Sequence, residues 1–292
     1  MTGNDRIKII LIILFLVIMG ISVPVYAYMQ GSIGAAEDGS DVCRISYEGD
    51  RAEVSDDTRA YVAGSSVTIG KAGSYHISGA SENARLIIDT QDADEVYIVL
   101  EDLDIACAKD APFCVKNSGD VRIFLSGSNA LGDAGSDQAD SERSKACFYS
   151  KSDVTLQGDG SLTIDGDYWH GISVRGDLRI ESGSLQITAA RNAIDVRDSL
   201  KINGGSIRLD AGNDGISASD SEDINKGEVH IRGGHIELSA LDEGISAAKS
   251  IDISGGSTYM KCGSQLFKCS GEQSIDKSCV IAETIDESVS GN

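Results

Sequence analysis

The sequence predicts an all-β fold, a single-stranded parallel β-helix with about 22 residues per coil, and three observations carry that prediction. The first is a fixed repeat. Gly171-Ile172, Ala193-Ile194, Gly215-Ile216, Gly244-Ile245 and Leu266-Phe267 recur at steps of 22, 22, 29 and 22 residues, the long step being one repeat plus seven residues near 220–226. The second is the pattern inside each copy: three short alternating runs, such as Leu178-x-Ile180, Leu185-x-Ile187 and Ile194-x-Val196. Alternation at period two marks strands, and a short fixed period marks units that bury their apolar face only by stacking on neighbours. The third is the glycine after the first strand of each copy, at Gly183, Gly205, Gly234 and Gly256, a corner residue free of a Cβ penalty.

The strings 158–180 (GDGSLTIDGDYWHGISVRGDLRI), 192–218 (NAIDVRDSLKINGGSIRLDAGNDGISA) and 227–247 (GEVHIRGGHIELSALDEGISA) resemble the carbohydrate-binding domain proteins of clostridia and other Firmicutes. The likeness continues upstream through 96–127 and spans roughly 42–269. It implies a right-handed parallel β-helix shaped like the pectate lyases, an association with calcium, and binding of plant cell-wall polysaccharide. The architecture hosts binders and enzymes alike, so the ligand has to be argued from the residues.

Taken in order, residues 1–28 stand outside the fold. Arg6 and Lys8 lead into an apolar run that reaches Tyr28, interrupted by Gly20, Ser22 and Pro24. Positive charge before such a run keeps the N-terminus inside and sends the body out. Val25-Tyr26-Ala27 suits signal-peptide cleavage, while the length of the run suits a retained membrane anchor, so both readings stay open. Either way the body is expected to be extracellular or at the cell surface, touching membrane only through this segment. Residues 29–41 read as a linker, 42–282 as the β-helix and 283–292 as a disordered tail. Within the helix, Val67-x-Ile69, Tyr75-x-Ile77, Leu86-x-Ile88 and a strand over 96–100 form a cap and the first coils. A polar loop over 132–145 interrupts a later coil.

The 292 residues carry a formal charge of −21, with 33 glycines and 2 prolines. Such acidity excludes nucleic acid as a partner, because its phosphates would be repelled, and it supplies carboxylates for hard cations. The expected state is a monomer. Seven cysteines show no zinc-site spacing and no Cys-x-x-Cys. Cys262 and Cys269 fall on small inward positions and read as buried hydrophobes, with a Cys262–Cys269 bridge as the alternative.

Stacked coils place one inward ladder over Phe113, Phe148, Ile172, Ile194, Ile216, Ile245 and Phe267. Three residues on from each rung stand Lys116, Lys151, Arg175 and Arg197, a cation on a cation in four consecutive coils. This strip would meet the regular carboxylates of an acidic polysaccharide such as polygalacturonate. Alternatively, Asp120, Asp153, Asp177 and Asp198 neutralise it as a corner salt-bridge ladder. At the opposite corner, Asn213-Asp214 and Asp242-Glu243 stack, with Asp195 and the insertion's Asp223 nearby. These six are candidate ligands for Ca²⁺, which takes six to eight oxygens; the plainer alternative is that Asn and Asp serve the turn. Trp169, between Tyr168 and His170, is either a platform for a sugar ring or a loop cap.

No spacing supports nucleophilic catalysis. The reading is a binder of acidic or cellulosic cell-wall polysaccharide, calcium-assisted and without chemistry of its own. A calcium-dependent pectate-type lyase is the alternative, with Arg197 and Lys249 as the basic candidates near the acidic corner; a structural surface protein is the third reading.

Overall fold

The computed structural model describes residues 42–133, 145–220, 222–223 and 225–284. The expected N-terminal segment and linker, almost all of the loop over 132–145, and the end of the tail lie outside the described residues. What is described is all-β, apart from one short turn of 3₁₀ helix at Lys277–Cys279.

From Val121–Ser126 to Phe267–Cys269 each coil contributes one strand to each of three faces, and each face is there a parallel ladder. On the first face Leu178 pairs with Leu200 and Leu200 with Val229; on the second Leu185 pairs with Ile207 and Ile207 with Ile236. The third face carries the predicted inward ladder without a slip. Phe113, Phe148, Ile172, Ile194, Ile216, Ile245 and Phe267 pair in succession. Below Phe113 the ladder runs on through Leu86 to Val67, so the less regular early strands are true coils. All rungs from Val67 to Ile245 are fully buried, and Phe113 and Phe148 stack with ring centroids 4.4 Å apart. Alternation along each strand is what produces this core: Ser184–Ala189 reads exposed-buried through all six positions.

The end of the solenoid nearest the N-terminus is closed by antiparallel pairing. Val42–Glu48 folds against Arg51–Val54, and Ala60–Ala63 against Ser66–Ile69. These hairpins cover edges that would otherwise invite another chain.

The corners between first and second face confirm the glycine argument. Gly205 and Gly256 hold φ of +94° and +79°, and a Cβ on either would meet the glycine carbonyl of the previous coil at 2.8 and 2.6 Å. Only glycine supplies both the left-handed backbone and the space. One early coil solves the corner differently. The strand expected over 96–100 runs on as Val96–Ala106, pairing with Val121–Ser126 along its first half and Ser128–Asp133 along its second. It bends at Asp102, which takes φ +52° and whose carboxylate accepts the Ser128 N–H at 2.8 Å. Aspartate tolerates this conformation when its side chain bonds local backbone.

The seven-residue insertion leaves the ladders in step on both sides, with Leu200 opposite Val229 and Ile216 opposite Ile245. Cys262 and Cys269 are free thiols, so the bridge entertained from sequence does not form. They sit on different faces, Cys262 continuing the ladder of Ala211 and Ala240, and Cys269 that of Ala218 and Ala247.

Candidate functional site

The outward side of the third face lies between two corners of opposite charge. Along the strands, residues that alternate with the buried ladder point out: Tyr149, Ser173, Asp195, Ser217, Ser246 and Lys268 stack in that order. Beside this row, at the corner leaving the face, stand the predicted cations. A groove of about 710 Å³ opens there, lined by Tyr149, Lys151, Arg175, Asp195, Arg197, Ser219 and Glu222.

The cations do not behave alike. Lys116, Lys151 and Arg175 are exposed, and no ion pair among the described residues involves them. Three of the four carboxylates expected to neutralise them are occupied elsewhere. Asp177 faces Arg179 at 3.5 Å and Lys201 at 3.8 Å, Asp198 binds Lys226 at 2.7 Å, and Asp153 accepts the Asp177 N–H at 2.8 Å. Arg197 is the exception. Its guanidinium donates to both oxygens of Asp220, at 2.7 and 3.0 Å, and to Glu222 at 2.8 Å. These bonds raise its pKa further and hold it a cation.

At the corner entering the face, backbone and side chains form a second ladder. The Asn192 N–H donates to His170 Nδ1, the Asp214 N–H to Asn192 Oδ1, and the Glu243 N–H to Asp214 Oδ1, each at 3.3 Å. Asn213 adds a bond from its side-chain amide to Asn192 Oδ1 at 2.9 Å. The turn role foreseen for Asn and Asp is therefore real, and His170 serves it as an acceptor, with burial pushing its pKa down. Yet the same corner gathers three carboxylates, Asp214, Asp242 and Glu243, with ligand atoms all within 4.8 Å of one another. Asp214 and Glu243 are buried, and Asp242 is half-buried. Burial first, then the neighbouring Glu243, pushes the Asp214 carboxyl up to about 7. Glu243 is lowered despite its burial, because Lys268 Nζ sits 2.6 Å from its Oε1.

Three carboxylates from adjacent coils, two of them out of water and served by one lysine, make a donor set that fits a divalent cation. They offer at most six oxygens, one of which already takes an N–H and another the lysine. Two of the six candidate ligands stand apart. Asp195 lies past the corner on the outward row, accepts from Ser173 Oγ at 3.2 Å, and lines the groove. Asp223 is engaged inside the insertion by Asn225, at 2.9 and 3.1 Å. Asn213 remains beside the cluster, its carbonyl accepting the Asp242 N–H at 3.0 Å.

Trp169 is half-buried at the same corner, one coil before Arg191. The Arg191 guanidinium lies 4.6 Å from its ring centroid and the Lys145 ammonium 5.5 Å, a cation–π arrangement that takes up part of the ring surface. Lys249, the other basic candidate, is paired with Glu228. Two members of the site went unnoticed in the sequence, Lys268 and Tyr149. Both fall on the outward row, one residue past a ladder rung, which is the signal that would have found them.

The comparisons with known proteins agree with this architecture. A family model described as carbohydrate-binding domain-containing protein matches residues 63–289. A carbohydrate-binding domain-containing protein of Acetivibrio thermocellus is 30% identical over 151 residues, which is 50% of this chain and 53% of that protein. The chain thus spans about half the length of this curated relative. A solved structure, the polysaccharide lyase-like protein from C. thermocellum in a gadolinium derivative, is also 30% identical. It superposes with a TM-score of 0.76 and covers 82% of this chain and 99% of its own. The family match covers most of the described coils, both charged corners and the groove between them: this chain belongs to the carbohydrate-binding domain-containing proteins.

Proposed function

We propose that the protein is an exported, non-catalytic binder of acidic cell-wall polysaccharide, with the groove on the third face as its site. The observation that carries this reading is the run of three exposed cations, Lys116, Lys151 and Arg175, that find no carboxylate among the described residues of a protein of formal charge −21. Stacked one strand spacing apart, about 4.8 Å, they repeat at the scale of a sugar unit. Tyr149 supplies an apolar ring beside Lys151, suited to the face of a pyranose. Export is supported by Arg6 and Lys8 ahead of the apolar N-terminal run.

Calcium is the cation proposed for Asp214, Asp242 and Glu243, with Asn213 beside them, because a flexible all-oxygen set of mixed geometry suits it better than magnesium. Bound there, the ion would neutralise the buried carboxylates and hold two coils in register. The lyase reading draws on the likeness to a polysaccharide lyase-like protein. Abstraction of a proton beside a uronate needs a neutral base free to reach it, and Arg197 and Lys249 are each engaged by carboxylates.

The test is retention on polygalacturonate, with cellulose and xylan beside it, in calcium and in chelator, while unsaturated product is followed by absorbance. Lys151→Ala with Arg175→Ala should lower polygalacturonate affinity by roughly tenfold, about 1.4 kcal/mol, and leave neutral polymers nearly unchanged. Added salt should imitate the substitution. Accumulating product would establish a lyase, and equal loss on charged and neutral polymers would remove the cations from the site.

A further inference from the structure

The groove changes sign along its length. Lys151 and Arg175 line it in two consecutive coils, with Lys116 on the rung before them, and the outward residues beside these three cations, Tyr149, Ser173 and Cys114, carry no charge. In the next coil Asp220 and Glu222 from the insertion bond the Arg197 guanidinium, and a third carboxylate, Asp195 on the outward row, lines the same groove. The described residues of the insertion are tied down at both ends. Asp220 is buried, with 3% of its side chain exposed, and grips Arg197 through both oxygens; Lys226 ties the other end to Asp198. Glu222 is 81% exposed yet still reaches Arg197 at 2.8 Å, at the lip of the groove.

We propose that Asp220 and Glu222 make the insertion an end-stop for an anionic sugar chain, so that the strip of Lys116 and the groove's Lys151 and Arg175 reads three consecutive charged residues and rejects charge on a fourth at Arg197. The proposal rests on the groove being the polysaccharide site and adds what limits the ligand. Arg197 is the specificity-determining position. It stands in the cation stack, but its charge is spent on the chain's own carboxylates. An incoming uronate at that rung would meet Asp195 and Glu222 before any unengaged cation, and like charges at this range repel. A neutral or esterified residue would meet no such barrier.

Calorimetric titration of the full chain with oligogalacturonates of increasing length separates the possibilities. The wild-type affinity should rise by roughly two- to fivefold per residue up to the trimer, the range of an exposed charge pair, and then stay flat or fall. Glu222→Gln, an exposed change that keeps the Asp220 clasp, should turn the tetramer from neutral or unfavourable to favourable, and Asp220→Asn with Glu222→Gln should extend the gain further. Wild-type affinity that keeps rising beyond the trimer, or a Glu222→Gln profile identical to wild type, would overturn the end-stop while leaving the groove as the site. If no oligomer of any length bound either protein, the groove reading itself would fall, and the end-stop with it.

Discussion

The two corners that flank the third face both stack like charge on like charge, and they solve the resulting repulsion in opposite ways. At the corner leaving the face, Lys116, Lys151 and Arg175 project into solvent, where unit charges a coil apart cost about 1 kcal/mol or less and salt reduces even that. They need no partner, and none is found among the described residues. At the corner entering the face, Asp214 and Glu243 are 8% and 6% exposed, and the same spacing costs several times more in that lower dielectric. This stack has to be discharged, and two devices serve it: burial and the neighbouring Glu243 favour a proton on Asp214, and Lys268 is laid against Glu243. A metal ion would be the third. Five or six residues separate the corners, roughly 15–20 Å of strand, about two screening lengths at physiological salt. Each can therefore be perturbed without the other.

The largest effect should come from supplying the cation. Calcium at about a thousand times its dissociation constant should stabilise the fold by about 4 kcal/mol, read as a rise in melting temperature against chelator. Asp214→Asn with Asp242→Asn should abolish the rise and leave the metal-free protein as stable as before or more so, since the repulsion is relieved. A melting temperature indifferent to calcium would reduce this corner to its backbone ladder.

A smaller effect belongs to the proton. Asp214 sits near 7 in the folded protein against an ordinary 3.8, so between these values the folded state holds a proton that the unfolded chain has released. Its contribution to the stability of the metal-free protein should then fall as pH rises, by up to about 1.4 kcal/mol per pH unit. Glu243, lowered from its ordinary 4.5, contributes the opposite slope only below that value, whereas His76 and His170, both lowered by burial, contribute it up to their ordinary 6.5, so Asp214 is read as a difference between wild type and Asp214→Asn. In chelated melts from pH 5 to 7, stability relative to Asp214→Asn should fall for wild type as pH rises, while Asp214→Asn itself keeps the rising slope of the two histidines.

The smallest effect is expected at the basic corner. Lys151→Ala or Arg175→Ala should move stability by no more than about 0.5 kcal/mol, with or without calcium, in denaturant titrations. A larger loss would mean that these cations hold the coils together, and the contrast between the corners would collapse.

Much of this was legible before any coordinates. The ladder from Phe113 to Phe267, the three-run coil and the glycine corners follow from period and pattern, because a repeating fold writes its geometry into spacing. Partnership did not follow. Sequence offered Asp120, Asp153, Asp177 and Asp198 as partners for the cations, and which of them turn elsewhere depends on side-chain direction that spacing does not encode. Asp195 was grouped with Asp214 because both border one corner, yet alternation along Ile194–Val196 sends it onto the groove. Asp102 hid a whole corner, since it does in a left-handed conformation what the motif led one to seek from glycine.

The insertion after Ser219 has a consequence for how such a molecule can change. Residues were added at a corner and every rung stayed opposite its partner. Lengthening a loop is cheap, each doubling costing about 0.6 kcal/mol in closure entropy, whereas one residue added inside a strand would turn each inward side chain outward. The coil therefore behaves as a ruler with detachable tabs. Its markings are held by buried isoleucines, while new recognition can be hung on any single division without disturbing the measure of the rest.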